Sequence, residues 1–228
     1  MIIDMHTHIV PEHFPVADGR PSALAWPSMQ PTDAGASAMV INGKTFRLFR
    51  DVCWNTANRV ADLPRLGTEQ QVLSPLPELL MYQLHPQDGA DMARYLNETI
   101  AAMVDSEPDS FHGLGTVPLQ DVELAIAELR YIKALGLLGV EIRSNVEGTN
   151  LGDATLRPVF KEAEALGLAV FVHAYNPTFK DRLPNVSPDI ANNAVGFPAE
   201  IALAGASLIW DGVLADCPDL RVCMSHGG

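Results

Sequence analysis

Met1-Ile-Ile-Asp-Met-His-Thr-His8 is the stretch on which the reading of the fold turns. Ile2 to Thr7 has the length and apolar character of a short buried strand. Side chains alternate along a strand, so Asp4, His6 and His8 face one way and Met5 and Thr7 the other. Two imidazoles spaced i, i+2 on one strand face can bind a single metal ion, and imidazole suits zinc. The apolar strand directly before the pair argues for order at this end of the chain.

Working outward, residues 9–55 interrupt the pattern. The segment is rich in Pro and Ser to about Ala38. Ala38 to Phe49 then reads as a β-hairpin turning at Asn42-Gly43, with apolar alternation on either side. Phe46 and Leu48 share one face, and Thr45, Arg47 and Phe49 the other. From Thr56 a strand–helix rhythm begins. Helices are expected near Thr56–Leu66, cut or kinked by Pro64, then at Asp88–Ser106, Val122–Leu135, Ala154–Leu166 and Ala199–Ala215. Gly136 and Gly167 provide C-terminal stops. The strands between them are Gln71–Ser74, Phe111–Val117, Gly139–Arg143, Leu168–His173 and Leu220–Ser225.

Repeated βα units imply a parallel sheet, and runs such as Leu168-Ala-Val-Phe-Val172 are apolar on both faces, as buried parallel strands are. The two candidates are a (β/α)8 TIM barrel and a doubly wound open sheet. No Gly-rich phosphate loop follows the first strand, which weakens the second. The histidines favour the first: His6, His8, His173 and His226 all fall at the C-terminal ends of strands, where barrels build active sites. The expected architecture is one TIM-barrel domain over residues 1–228, with residues 9–55 inserted as loop and hairpin.

Three imidazoles with one open coordination position resemble a catalytic metal site rather than a closed structural one. A bound metal lowers the pKa of its water toward neutrality, and a further histidine can take the proton or orient that water. Other candidates carry less. His13 reads as a surface loop residue, His112 starts a strand on the opposite barrel face, and His85 lies in a loop on the catalytic side. Glu141 and Arg143 share a strand face, as an internal ion pair or as a substrate contact.

Composition limits the function. Over 228 residues, 15 Lys and Arg against 28 Asp and Glu give a net charge of 15 − 28 = −13, and the pI is about 4.8. Nucleic acid is therefore not an expected partner. An anionic substrate needs its own local cation in so acidic a protein. Cys53, Cys217 and Cys223 lack metal-finger spacing and read as reduced thiols, consistent with a cytoplasmic protein. The N-terminal residues show no basic n-region and no cleavage site, so no signal peptide is expected. The apolar run near Ile201–Ala215 contains Asp211 and is too short to span a bilayer.

Together, Asp4-Met-His-Thr-His8, Phe171-Val-His173 and Ser225-His226-Gly-Gly228 resemble the amidohydrolase superfamily, and within it the amidohydrolase-2 branch. Gly43-Lys-Thr-Phe-Arg-Leu-Phe-Arg-Asp-Val-Cys-Trp54 matches the inserted hairpin of the branch's aminocarboxymuconate-semialdehyde decarboxylases. Phe111-His-Gly-Leu-Gly-Thr-Val-Pro118 and Gly196-Phe-Pro-Ala-Glu200 match further stretches of the branch.

This resemblance implies that His6, His8 and His173 bind a divalent metal, zinc first and manganese second, with no organic cofactor. It implies that His226 activates metal-bound water and that Arg47 holds a substrate carboxylate. Guanidinium offers a bidentate fit to that group. Trp54 reads equally as pocket wall and as core packing. The implied activity is non-oxidative decarboxylation of a small carboxylated aromatic or muconate-semialdehyde-type acid, in a homodimer. Hydrolysis of an amide, ester or lactone uses the same ligands and stays open. An inactive metal-binding remnant is the third reading.

Two departures stand out. Ala174-Tyr-Asn-Pro177 replaces the Pro-Trp usual after the strand-five histidine, so the substrate pocket differs. The branch's last metal ligand is an aspartate on strand eight, whereas residues up to Gly228 supply about six of eight βα units. The expectation is a chain roughly a hundred residues short of the whole barrel.

Overall fold

The computed structural model describes residues 2–32, 36–177 and 185–227. Strand β1 (Ile3–Ile9) is followed by β2 (Ser28–Pro31), β3 (Ala36–Ile41) and β4 (Lys44–Arg50). Then come β5 (Gln70–Pro75), β6 (Phe111–Gly115), β7 (Gly139–Arg143), the short pair β8 (Asn145–Val146) and β9 (Thr149–Asn150), β10 (Ala169–His173) and β11 (Val222–Met224). The helices are α1 (Thr56–Leu66), α2 (Pro86–Ser106), α3 (Val122–Ala134), α4 (Arg157–Ala165), α5 (Pro188–Ala191), α6 (Phe197–Trp210) and α7 (Val213–Asp216).

Six strands form one parallel sheet in the order β1-β5-β6-β7-β10-β11. Each strand lies beside the next one in sequence, with helices crossing between, which is the winding of a (β/α)8 barrel and not of a doubly wound sheet. The inner strands β5, β6, β7 and β10 are largely buried on both sides, whereas β1 and β11, the outer strands of this sheet, are partly exposed, so the first strand is not the buried one its apolar sequence suggested. One side of the sheet packs on the helices through Ile100, Leu129, Ile132, Phe160, Ile201 and Leu208. The other carries Val72, Leu114 and Phe171, an inner layer below the strand ends. Gly139 opens β7 because a Cβ there would lie 2.1 Å from the Ala169 carbonyl oxygen of the adjacent strand.

The interrupting segment is a three-stranded antiparallel sheet, β2-β3-β4. The expected hairpin is present, and Asn42 (φ 53°) and Gly43 (φ 70°) make its turn in the left-handed region such tight hairpins need. The additional edge strand, Ser28–Pro31, is four residues long and ends in proline, too brief to show an alternating pattern. Trp26, Met39 and Phe49 bury against Val10, Leu76, Leu79 and Met81, which fastens this small sheet over the mouth of the barrel.

Helix ends depart from the sequence pattern in two places. Pro64 neither cuts nor ends α1, which runs on to Leu66 and closes at Gly67 (φ 71°). Near its C-terminus the proline removes a single backbone bond, which the last turn accommodates. The helix expected over Ala199–Ala215 is divided into α6 and α7 at Gly212 (φ 79°), a left-handed position no helix continues through. Among the described residues no helix is long and apolar enough to cross a membrane.

Candidate metal centre

The first two histidines are aimed by an irregularity in β1. Its register against β5 shifts between Asp4 and Thr7. Such bulges re-aim a side chain beside a site. The His6 amide donates to Asp4 Oδ1 at 3.1 Å. Thr7 anchors the strand from the other face, its hydroxyl donating to the Val72 carbonyl at 2.8 Å, while Ser74 Oγ donates to the Thr7 carbonyl at 3.0 Å. His8 is half-buried, with Nδ1 3.0 Å from the Pro75 carbonyl oxygen. That carbonyl only accepts, so Nδ1 carries the proton and Nε2 is left as a bare lone pair.

His173 ends β10 and is fixed in the same way, with Nδ1 2.8 Å from the Ala174 carbonyl oxygen. Its Nε2 lies 3.0 Å from His6 Nε2 and 3.3 Å from His226 Nε2. His226 follows β11 with φ 50°. Left-handed backbone is uncommon for a residue with a Cβ and concentrates at functional positions. Phe197 at the start of α6 lies against its ring, centroids 5.1 Å apart. The four imidazoles thus crowd together edge to face, with His6 5.0 Å from His8, His8 5.1 Å from His173 and His173 4.8 Å from His226.

Electrostatics leaves these rings neutral at pH 7. Burial, reinforced by His6, pushes the His8 pKa down from 6.5 to about 3. Burial, reinforced by His8, pushes His173 down to about 2. His226 is lowered by burial and then by His6. His6 is lowered by burial against a partial opposing pull from Asp4. Neutral imidazole is the form that ligates metal. The ligand atoms of His6, His173 and His226 all lie within 4.8 Å of one another, as do those of His8, Glu141 and His173. Three Nε2 atoms converge at 3.0 and 3.3 Å, with the His173 proton committed at Nδ1. The donor set therefore fits a divalent metal ion.

These histidines open onto a cavity of about 540 Å³. Arg47 and Phe46 close one side, carried there by the hairpin, and Tyr175, Asn192 and Phe197 the other. Glu78 and Asp189 also reach the lining, so among the described residues Arg47 is the cation of a wall that otherwise carries acids. Arg47 and Phe46 are chain neighbours, yet both face the cavity, because the small sheet meets it at the β4 edge rather than by one face. Trp54 does not line the cavity. It is half-buried and packs against the cluster of Val10, Met39 and Phe49.

Glu141 and Arg143 both face inward, as their spacing requires, but they do not pair. Arg143 is 1% exposed. Its Nε donates to the Pro77 carbonyl at 3.2 Å, and its guanidinium lies over the Tyr175 ring, 3.6 Å from the centroid. It thereby braces two parts of the cavity wall from behind. Glu141 is fully buried, with Oε2 3.5 Å from His8 Nδ1. Burial raises its carboxyl pKa well above the usual range. The strand position alone did not separate these two roles. His13 and His85 are exposed and His112 is half-buried at the opposite end of its strand; none reaches the cavity.

Known proteins resemble this chain over most of its length. The chain is 42% identical over 228 residues to 2-amino-3-carboxymuconate-6-semialdehyde decarboxylase of Dictyostelium discoideum, matching 99% of this chain and 62% of that protein. It is 25% identical to the enzyme of that name from Caenorhabditis elegans, over 99% of this chain and 68% of that one. The chain thus spans about two thirds of the length of these relatives. Among solved structures, Metarhizium anisopliae IDCase in apo form superposes with a TM-score of 0.77 at 19% identity, over 98% of this chain and 64% of that one. A 5-carboxyvanillate decarboxylase of Novosphingobium aromaticivorans with bound manganese superposes at 0.65 and 26% identity, over 73% of this chain and 48% of that one. Residues 3–228 match the amidohydrolase family throughout, and the chain belongs to that family.

Proposed function

We propose that this chain carries the metal and substrate site of a metal-dependent, non-oxidative decarboxylase acting on a small carboxylated aromatic or muconate-semialdehyde-type acid. The carrying observation is that His6, His8, His173 and His226 converge at one end of the parallel sheet, on a cavity whose lining includes Arg47. The relatives' decarboxylase names support the reaction class. Zinc and manganese both suit a site of imidazoles and carboxylate. The unit is read as one barrel with residues 9–55 inserted, working as a homodimer.

The residues divide the task. Arg47 receives a substrate carboxylate, with no carboxylate of the described residues paired to it. Phe46 and Phe197 present apolar surface to a planar, unsaturated acid. A bound divalent cation supplies Lewis-acid polarisation of the substrate. The carbon–carboxylate bond breaks, carbon dioxide leaves, and the electron pair stays on the carbon. His226, neutral at pH 7 and at the cavity edge, takes a proton from water and passes it to that carbon, leaving hydroxide to solvent.

The test uses the full-length natural protein, stripped of metal and reloaded with zinc or manganese. It is offered 2-amino-3-carboxymuconate-6-semialdehyde and hydroxylated benzoates, and carbon dioxide is measured. Metal-dependent release is the expected result. Hydrolysis of amide or ester substrates without carbon dioxide release would replace this reading with the hydrolase.

A further inference from the structure

Arg143 is a cation whose hydrogen bonding is thin for its burial. It ends β7 beside the site, in register with His173 on β10, and is 1% exposed. Its Nε donates to the Pro77 carbonyl at 3.2 Å. One terminal nitrogen lies 3.4 Å from both Gln83 Oε1 and Glu147 Oε1, at the outer limit of a hydrogen bond, and the other has no partner among the described residues. Taking a charge out of water on these terms costs stability, and an apolar side chain of the same length would fill the position at less cost. The better partner is a ring. The guanidinium carbon lies 3.6 Å from the centroid of Tyr175 and 5.2 Å from that of Tyr82.

Tyr175 is where that contact reaches the site. It lies two residues past His173, is half-buried and lines the cavity, which Arg143 does not. The guanidinium therefore occupies the side of the ring turned from the opening. The backbone is held as well. The Tyr175 amide donates to Ser144 Oγ at 3.2 Å, and the Ser144 amide to the His173 carbonyl at 2.8 Å. A tyrosine on a free loop moves among rotamers, whereas this one has a planar cation stacked on it and its backbone tied beside that cation's own strand. The result is a fixed π surface next to the histidines. A cation behind the ring also draws electron density from the face in front, which favours stacking of an electron-rich, negatively charged unsaturated system.

We propose that Arg143 is a positioning residue that sets substrate selectivity, holding the Tyr175 ring as the flat wall against which the planar part of the acid lies. The proposal rests on the carboxylate-binding reading above and adds to it the pair of residues that selects an aromatic or conjugated acid over a saturated one of the same size.

Full-length, metal-loaded protein is titrated by calorimetry with benzoate and with cyclohexanecarboxylate. The two carry the same carboxylate on rings of the same size, one flat and one puckered, so the ratio of their affinities reports the wall and not the charge. The parent is expected to prefer benzoate. Arg143→Met, which keeps the length and removes the cation, is expected to lose about threefold to tenfold of that preference. Tyr175→Leu loses the preference too, and adding Arg143→Met to it lowers the ratio no further, since one residue acts through the other. Tyr175→Phe keeps it. The same ratio in the parent and in Arg143→Met overturns the proposal, whatever happens to Tm, because Arg143 is then a brace for the fold alone. A parent without a preference for benzoate, or a fully additive loss in the double variant, overturns it as well. If Arg143→Met does not fold, Arg143→Lys, which keeps the charge and loses the plane, is read in its place by the same criteria. A parent that binds neither acid overturns the carboxylate-binding reading itself. A parent that binds both, alongside variants of unchanged ratio, overturns only the role of Arg143.

Discussion

At the residue scale His173 holds the site together. One nitrogen is fixed to its own strand end and the other faces two more imidazoles. His173→Ala therefore removes a ligand shared by both sets, and bound metal per chain falls to near zero when counted by atomic emission. Retention of metal would place the site elsewhere. The same crowding predicts a pH dependence. His8 and His173 have native pKa values of about 3 and about 2, below the unfolded 6.5. Below pH 6.5 the unfolded state binds protons that the native state refuses, so their contribution is intact above 6.5 and declines as the pH falls toward 3. Melts of metal-free protein should show Tm declining through that window, and less so for His8→Phe; parallel curves for the two would contradict the assignment. Arg47→Ala removes a charged hydrogen-bonding partner of the substrate, worth about 1.5–3 kcal/mol. It should raise KM at least tenfold, by roughly that energy. The histidines were legible because strand periodicity and strand-end position are local properties. Trp54 was not, because cavity and core both take a half-buried indole and only tertiary placement separates them. Glu141 shares its alternation with Arg143, and nothing in spacing tells two inward groups that turn apart from an ion pair.

At the element scale, two devices deliver the site residues. The first is the Asn42-Gly43 turn, which sets the hairpin that carries Arg47. Gly43→Ala forces a Cβ into left-handed backbone at about 1–2 kcal/mol. Both Tm and substrate affinity should fall together; an unchanged KM would separate the turn from Arg47. The second is a buried polar clasp between α2 and β6. Asn97, 0% exposed, receives the Thr116 amide at 2.7 Å and donates to the Thr116 carbonyl at 2.9 Å and to Glu128 at 2.8 Å. Asn97→Ala strands those groups and should cost about 1–3 kcal/mol in chemical denaturation. A smaller loss would mean that water replaces the amide. The six strands of the large sheet were legible within a few residues, since each is an apolar run between helix signals. Strand β2 was not, because four residues ending in proline form a strand only when β3 offers an edge. The break at Gly212 was hidden for a related reason: apolar residues continue across it, and only the backbone angle divides the helix.

At the scale of the whole molecule, the parallel sheet works as a common plane for ligands that are far apart in sequence. Residues 6 and 173 come within 3.0 Å because β1 and β10 present their C-terminal ends on the same side. The small antiparallel sheet then covers that end and brings a cation to an acidic lining. The barrel winding was legible from the repeated βα rhythm, whereas the depth and shape of the cavity depend on loops that have no period. The most direct test of the metal centre is anomalous diffraction from crystals of the full-length protein grown with manganese or zinc. The account predicts a peak at about 2.0–2.2 Å from imidazole nitrogens of the His6, His8 and His173 cluster. A fully loaded crystal with its peaks only elsewhere, and none among these histidines, would contradict it.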